Sequence, residues 1–74
     1  MALFFRDLGH NRVKISFRST GSVDVNTFAK QFGGGGHQRA AGALVTGNLE
    51  EVRHSVVAAA RIYLGKIEKA EAAK

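Results

Sequence analysis

No cysteine, proline or tryptophan occurs in these 74 residues, and methionine and tyrosine occur once each. The missing cysteines exclude a disulfide framework and thiolate zinc sites, and they suit a reducing cytosol. Acidic side chains are scarce as well, 6 against 11 Lys and Arg, for a formal charge of +5. That imbalance favours anionic partners through long-range attraction and counterion release. No apolar run approaches the ~20 residues that span a bilayer. The opening Met1-Ala2-Leu3-Phe4-Phe5 is interrupted by Arg6 and Asp7 too soon for a signal peptide. A cytoplasmic, soluble segment with no membrane contact is therefore expected. Asp7 and Asp24 are the only aspartates, and the three histidines are scattered without metal-ligand spacing. No metal or other cofactor is expected within this stretch.

What is present fits one small domain with an ordinary 45% hydrophobic content. A chain this short buries only about 60% of the surface its unfolded form exposes, so its stability should be modest. Residues 2–7 (ALFFRD) read as a strand, residues 9–11 as a turn, and residues 12–18 (RVKISFR) as a second strand. Alternation is strict there, with Val13, Ile15 and Phe17 on one face and Lys14, Ser16 and Arg18 on the other. Asp24 stands where an N-cap belongs, and Val25, Phe28, Ala29 and Phe32 then follow helical spacing up to Gly33. Ala43-Leu44-Val45 reads as a third strand. Asn48, with Glu51 three residues on, opens a last helix whose apolar face runs through Leu49, Val52, Val56, Ala60, Tyr63 and Ile67. Gly65 disfavours continuation by about 1 kcal/mol, so the helix is trusted to Leu64 and residues 66–74 are expected to fray. The five phenylalanines are most simply core rather than base-stacking platforms, although alternation sends Phe4 and Phe5 to opposite faces, so that one of the two can face the site. The expected fold is α+β (α/β): a small mixed sheet of about three strands with two to three helices packed on one face.

The informative run is GGGGHQRAAG, residues 33–42. Glycines let backbone approach a ligand closely and permit angles that aim successive amides into an anion-holding hollow. A short helix starting near His37 would add its amino end to that hollow. His37 then supplies a donor, Arg39 a further charge, and Ala40 and Ala41 keep the next turn slim. The lysine and hydroxyl of a GxxxxGK(S/T) phosphate loop are missing, and a GxGxxG dinucleotide turn would follow a strand rather than a helix. The plainer alternative is a flexible glycine linker with His37 merely exposed.

Residues 13–19 (VKISFRS) followed by 23–42 (VDVNTFAKQFGGGGHQRAAG) resemble the DHH-associated C-terminal, substrate-binding domain of DHH-family phosphoesterases. The likeness runs from about Val13 to Val45, and its specific elements are Ser-x-Arg-Ser at 16–19 and GGGH before an alanine pair and glycine. The resemblance implies that Arg18 and Ser19 hold substrate phosphate. It implies that Gly34, Gly35 and Gly36 approach the nucleotide, and that His37 contacts a phosphate or the terminal nucleotide. Ser16 and Lys14 are weaker candidates, drawn from sharing a strand face with Arg18. Arg39 departs from the small or neutral residue the pattern has there.

The same resemblance implies a nucleotide or short single-stranded RNA as ligand, with an N-terminal DHH catalytic domain as partner in cis. Divalent metal there, manganese in the usual case, would activate water for phosphoester hydrolysis. This chain has no DHH triplet. Residues 1–74 are accordingly expected to be one substrate-binding domain that binds weakly and hydrolyses nothing alone, the catalytic half lying outside it. The short-RNA and phosphoadenosine-phosphate hydrolysing type is the best match. A cyclic-dinucleotide phosphodiesterase is the first alternative. The tRNA-binding and dimerisation domain at the end of alanyl-tRNA synthetases is another, and an empty structural domain is the last.

Overall fold

Strict alternation in one strand organises the molecule. In a computed structural model, which describes residues 1–72 with side chains to residue 67, β2 (Arg12–Arg18) buries Val13, Ile15 and Phe17 completely and exposes Arg12, Lys14 and Arg18. It pairs antiparallel on one side with β1 (Ala2–Gly9) and on the other with β4 (Ala40–Thr46). A three-residue β3 (Gly35–His37) completes the sheet beyond β4, in the order β1-β2-β4-β3. Helices α1 (Val25–Lys30) and α2 (Leu49–Ala72) supply Val25, Phe28, Ala29, Val52, Val56 and Ala60 to the core that Val13, Ile15, Phe17 and Ala43 share. The fold is α+β, as expected, with four antiparallel strands and two helices among the described residues.

Local chemistry explains the connections. The β1–β2 turn holds His10 and Asn11 at φ 51° and 61°, the left-handed pair that a tight hairpin needs and that Asn tolerates well. Asp24 caps α1 by accepting from the Thr27 amide at 3.1 Å. At its far end Gly33 adopts φ 77°, and the Gly34 and Gly33 amides donate to the carbonyls of Ala29 (3.0 Å) and Lys30 (3.2 Å). These are the paired bonds of a Schellman closure. Asn48 caps α2 by accepting from the Glu51 amide at 2.9 Å.

Three expectations change. Residues 37–42 form no short helix: Gly35–His37 is a strand, Gln38 and Arg39 turn, and β4 begins at Ala40, so GGGGHQRAAG is largely a β-hairpin. Gly65 does not end α2, which continues to Ala72; residues 73–74 of the expected fraying tail lie outside the described residues. Phe4 is not core. It is 59% exposed, whereas Phe5 packs against the core and Phe17, Phe28 and Phe32 form an aromatic cluster with centroids 5.3–6.1 Å apart.

Candidate functional site

The glycine-rich hairpin is docked at both ends of the loop that carries Ser19. The Ser19 amide donates to the Arg39 carbonyl at 2.9 Å, and the Val25 amide donates to the Gln38 carbonyl at 2.9 Å. The tip of the β3–β4 turn is thereby fixed to the exit of β2 and to the first turn of α1. Within the turn, the Arg39 amide donates to His37 Nδ1 at 3.2 Å. With Nδ1 accepting in this bond, Nε2 at the outer edge of the ring is the nitrogen left to donate. Asn26 guards the outer edge of β3, its Oδ1 accepting from the Gly36 amide at 2.9 Å. Nothing in the sequence flagged Asn26, because its partner lies ten residues away on another element.

These contacts revise the role of the glycines. The amides of Gly33, Gly34 and Gly36 are committed to Lys30, Ala29 and Asn26, so they do not form an open cradle for an anion. Packing instead demands two of the four. A Cβ on Gly34 would overlap the Gly42 carbonyl oxygen and come 2.7 Å from the Ala43 Cβ. Gly36 combines φ 153° with backbone at 2.8 Å from where a Cβ would stand. Gly35 is different: its Cβ would meet only Asn26 Oδ1, at 3.2 Å.

Cross-strand register assembles the side chains. Arg18 lies opposite Ala40, and Ala40 opposite His37, so one row of the sheet reads Ala2, Arg18, Ala40, His37. Directly opposed residues project to the same face. Arg18 and His37 therefore share the face that no helix covers, about 10 Å apart at Cα with only an alanine methyl between. The next row reads Phe4, Ser16, Gly42, Gly35, and the one after it Arg6, Lys14, Leu44. Arg12 and Thr46 close the face. Four cations stand there, and Asp7, the acidic residue of these strands, falls in the opposite-facing row with Val13. Among the described residues the ion pair that forms is Glu50–Arg53, at 3.8 Å on α2, far from this face. The sequence reading missed Arg6, although alternation from Phe4 places it on the same side.

The remaining candidates are placed as follows. Ser16 is half-buried on the open face beside Phe4. Ser19 is buried, its hydroxyl 3.4 Å from the Gly21 amide that it accepts from, and its position is inside the loop rather than on the open face. Arg39 is exposed at the hairpin tip. Asp24 is held below the usual carboxylate range, first by the Thr27 amide it accepts from, and Tyr63, which donates to the Asp24 carbonyl at 2.9 Å, is pushed above 10.0 by burial and then by the Asp24 charge. Among the described residues no three His, Cys, Asp or Glu side chains gather as a metal site. The site is an open surface, not a cavity; a cleft of about 190 Å³ lies elsewhere, between Phe32, Val45 and the start of α2.

A family model, the DHHA1 domain, matches residues 1–70. The chain belongs to the DHHA1 domain family. Over 44 residues, 60% of the chain, it is 43% identical to the bifunctional oligoribonuclease and PAP phosphatase NrnA of Mycoplasma genitalium. Over 51 residues, 69% of the chain, it is 39% identical to the protein of the same name from Mycoplasma pneumoniae. These matches span 14% and 15% of the two relatives, so the DHHA1 domain corresponds to a small part of each. Among the described residues no helix of this domain is long and apolar enough to cross a membrane.

Proposed function

We propose that this DHHA1 domain holds the phosphate end of a nucleotide or short single-stranded RNA for a DHH-family phosphoesterase, and presents the scissile ester to a catalytic DHH domain in cis. The single observation behind this is the shared row of Arg18 and His37 on the uncovered face. A guanidinium offers several donors in a plane, and Nε2 of His37 offers another, so the two bracket one phosphoryl group. Lys14 and Arg6 extend the positive field along the same face. Gly35, whose missing side chain packing does not require, is where a ligand comes nearest the backbone. Gly34 and Gly36 shape the hairpin that carries His37, and Ser19 sets the chain direction directly after Arg18. Arg39 at the hairpin tip adds long-range attraction.

Positioning is the whole contribution of these residues. They fix the substrate, and the fixed geometry is what a catalytic partner uses. Among the described residues no metal ligand set gathers, and the chemical step is assigned to the catalytic DHH domain. NrnA-type oligoribonuclease and PAP phosphatase activity is the reading the relatives' names favour for the whole protein, in a cytoplasmic setting.

Titration of adenosine 3′,5′-bisphosphate and of a short ribo-oligonucleotide, followed by NMR, tests this. Shifts are expected at Arg18, Gly35 and His37, with affinity falling about tenfold in Arg18→Ala, since hydrogen bonds to charged groups contribute roughly 1.5–3 kcal/mol. Binding should also weaken steeply with salt. Shifts confined to α2, or an Arg18→Ala affinity equal to wild type, would sink the proposal. In the full native chain His37→Ala should lower hydrolysis while metal content stays constant.

A further inference from the structure

We infer that Phe4 is a stacking platform for a nucleobase, so that the open face selects a nucleoside phosphate over a bare phosphoryl group. This deepens the phosphate reading above and rests on it. Phe4 is 59% exposed on β1, in a small domain whose four other phenylalanines all pack into or against the core. Its ring has no aromatic partner among the described residues, whereas Phe17, Phe28, Phe32 and Tyr63 all do. The strand register sets it in the row Phe4, Ser16, Gly42, Gly35. Beyond the small Ser16 side chain that row is bare backbone, so a flat group can lie over it against the ring.

Charge identifies the occupant. The rows on either side of the ring carry Arg18 and His37, and Arg6 and Lys14. Arg18 is a diagonal neighbour of Phe4, roughly 7–8 Å away at Cα, a separation that a single nucleotide spans between base and phosphate. An aromatic ring inside a field of cations with no carboxylate is the combination that single-stranded nucleic acid uses, bases stacking while phosphates are neutralised. Leu44, 55% exposed beyond Lys14, continues the apolar floor toward a neighbouring base. A protein surface docking on Phe4 and Leu44 would have to bring carboxylates to four cations at once; a nucleotide strand carries its anions already.

The experiment compares two ligands on the full native chain by calorimetry: adenosine 3′,5′-bisphosphate, which has a base, and inorganic pyrophosphate, which has none. Phe4→Leu keeps an apolar strand residue and removes the ring. It is expected to weaken the bisphosphate about tenfold and leave pyrophosphate unchanged, since stacking on an aromatic contributes roughly 1–3 kcal/mol per base. Phe4→Trp should restore or tighten bisphosphate binding. Arg18→Ala should weaken both ligands. Equal affinities in Phe4→Leu and wild type, or an equal loss for both ligands, overturns the stacking assignment while the phosphate site stands. An Arg18→Ala variant that binds both ligands normally overturns the phosphate reading itself. If Phe4→Leu lowers the melting temperature of the full chain with no change in affinity, the ring is covered by another domain and the inference is wrong.

Discussion

The two faces of the sheet are built from the same strands and obey opposite rules. On the covered face Val13, Ile15 and Phe17 are fully buried against both helices. On the open face their immediate neighbours Lys14, Ser16 and Arg18 meet solvent, beside Phe4, Leu44 and His37. Burial on the first face stabilises the domain by keeping apolar area from water. The second face does the reverse: it keeps an aromatic ring wet and concentrates like charges, both mildly unfavourable to the folded state. If the open face is the binding face proposed above, tolerated cost there and dense packing on the other side separate binding from stability. Substitutions on the two faces should therefore fail in different assays.

The sharpest contrast is between adjacent residues of β2. Phe17→Ala leaves a cavity beneath α1 and should cost about 3–5 kcal/mol, a large fraction of a small domain's stability. Arg18→Ala, one residue on, should change stability by no more than about 0.5 kcal/mol while weakening phosphate binding. Thermal unfolding of both variants decides it. If the arginine variant melts as early as the phenylalanine variant, the separation of roles between the faces is false. A smaller version of the test lies in the hairpin. Gly34→Ala forces a methyl into the Gly42 carbonyl and the Ala43 side chain and should cost about 1–3 kcal/mol. Gly35→Ala meets only the end of the Asn26 side chain and should cost less than about 1 kcal/mol. Equal losses would show that ligand approach is not what sets Gly35 apart.

How far the sequence foretold this differs along the chain for physical reasons. The β1–β2 hairpin, both N-caps and the apolar faces of α1 and α2 are local signals, carried by alternation, helical spacing and capping chemistry, and they were legible. The hairpin at GGGGHQRAAG was not. Its residues have weak strand propensity, and β3 exists because β4 pairs with it and Asn26 closes its edge. Glycine was legible as a sign of close approach, but its neighbour turned out to be the protein's own backbone at Gly34 and Gly36. Arg18 and His37 could be nominated singly from the motif. Their meeting in one row needed the register of three strands, and that is set by tertiary structure. Gly65 misled for the opposite reason. A single glycine's cost of about 1 kcal/mol was outweighed in a helix anchored by Val52, Val56, Ala60 and Tyr63.

The mildest test of the division between faces uses pH. Tyr63 of α2 donates to the carbonyl of Asp24, whose carboxylate caps α1, so both titrating groups belong to the covered side. Asp24 has a folded pKa below 3.8, chiefly because the Thr27 amide bonds to its ionised form. Its contribution is complete above the unfolded value and disappears as pH falls through the lower folded one. Tyr63 is raised above 10.0, chiefly by burial, so its contribution holds below the unfolded value and disappears as pH rises through the folded one. Unfolding midpoints in denaturant should therefore fall at both extremes. Asp24→Asn keeps a capping oxygen but cannot titrate, so it should flatten the acid limb and, by removing a charge that adds to the Tyr63 shift, weaken the alkaline limb slightly. Tyr63→Phe should flatten only the alkaline limb and lower stability by about 1 kcal/mol between them, from the lost hydroxyl bond. Neither variant should alter phosphate affinity near neutral pH, because neither side chain reaches the open face. A changed affinity in either would mean that the cap of α1 governs the hairpin turn through the Val25 amide and Gln38 carbonyl, and that the two faces are coupled after all.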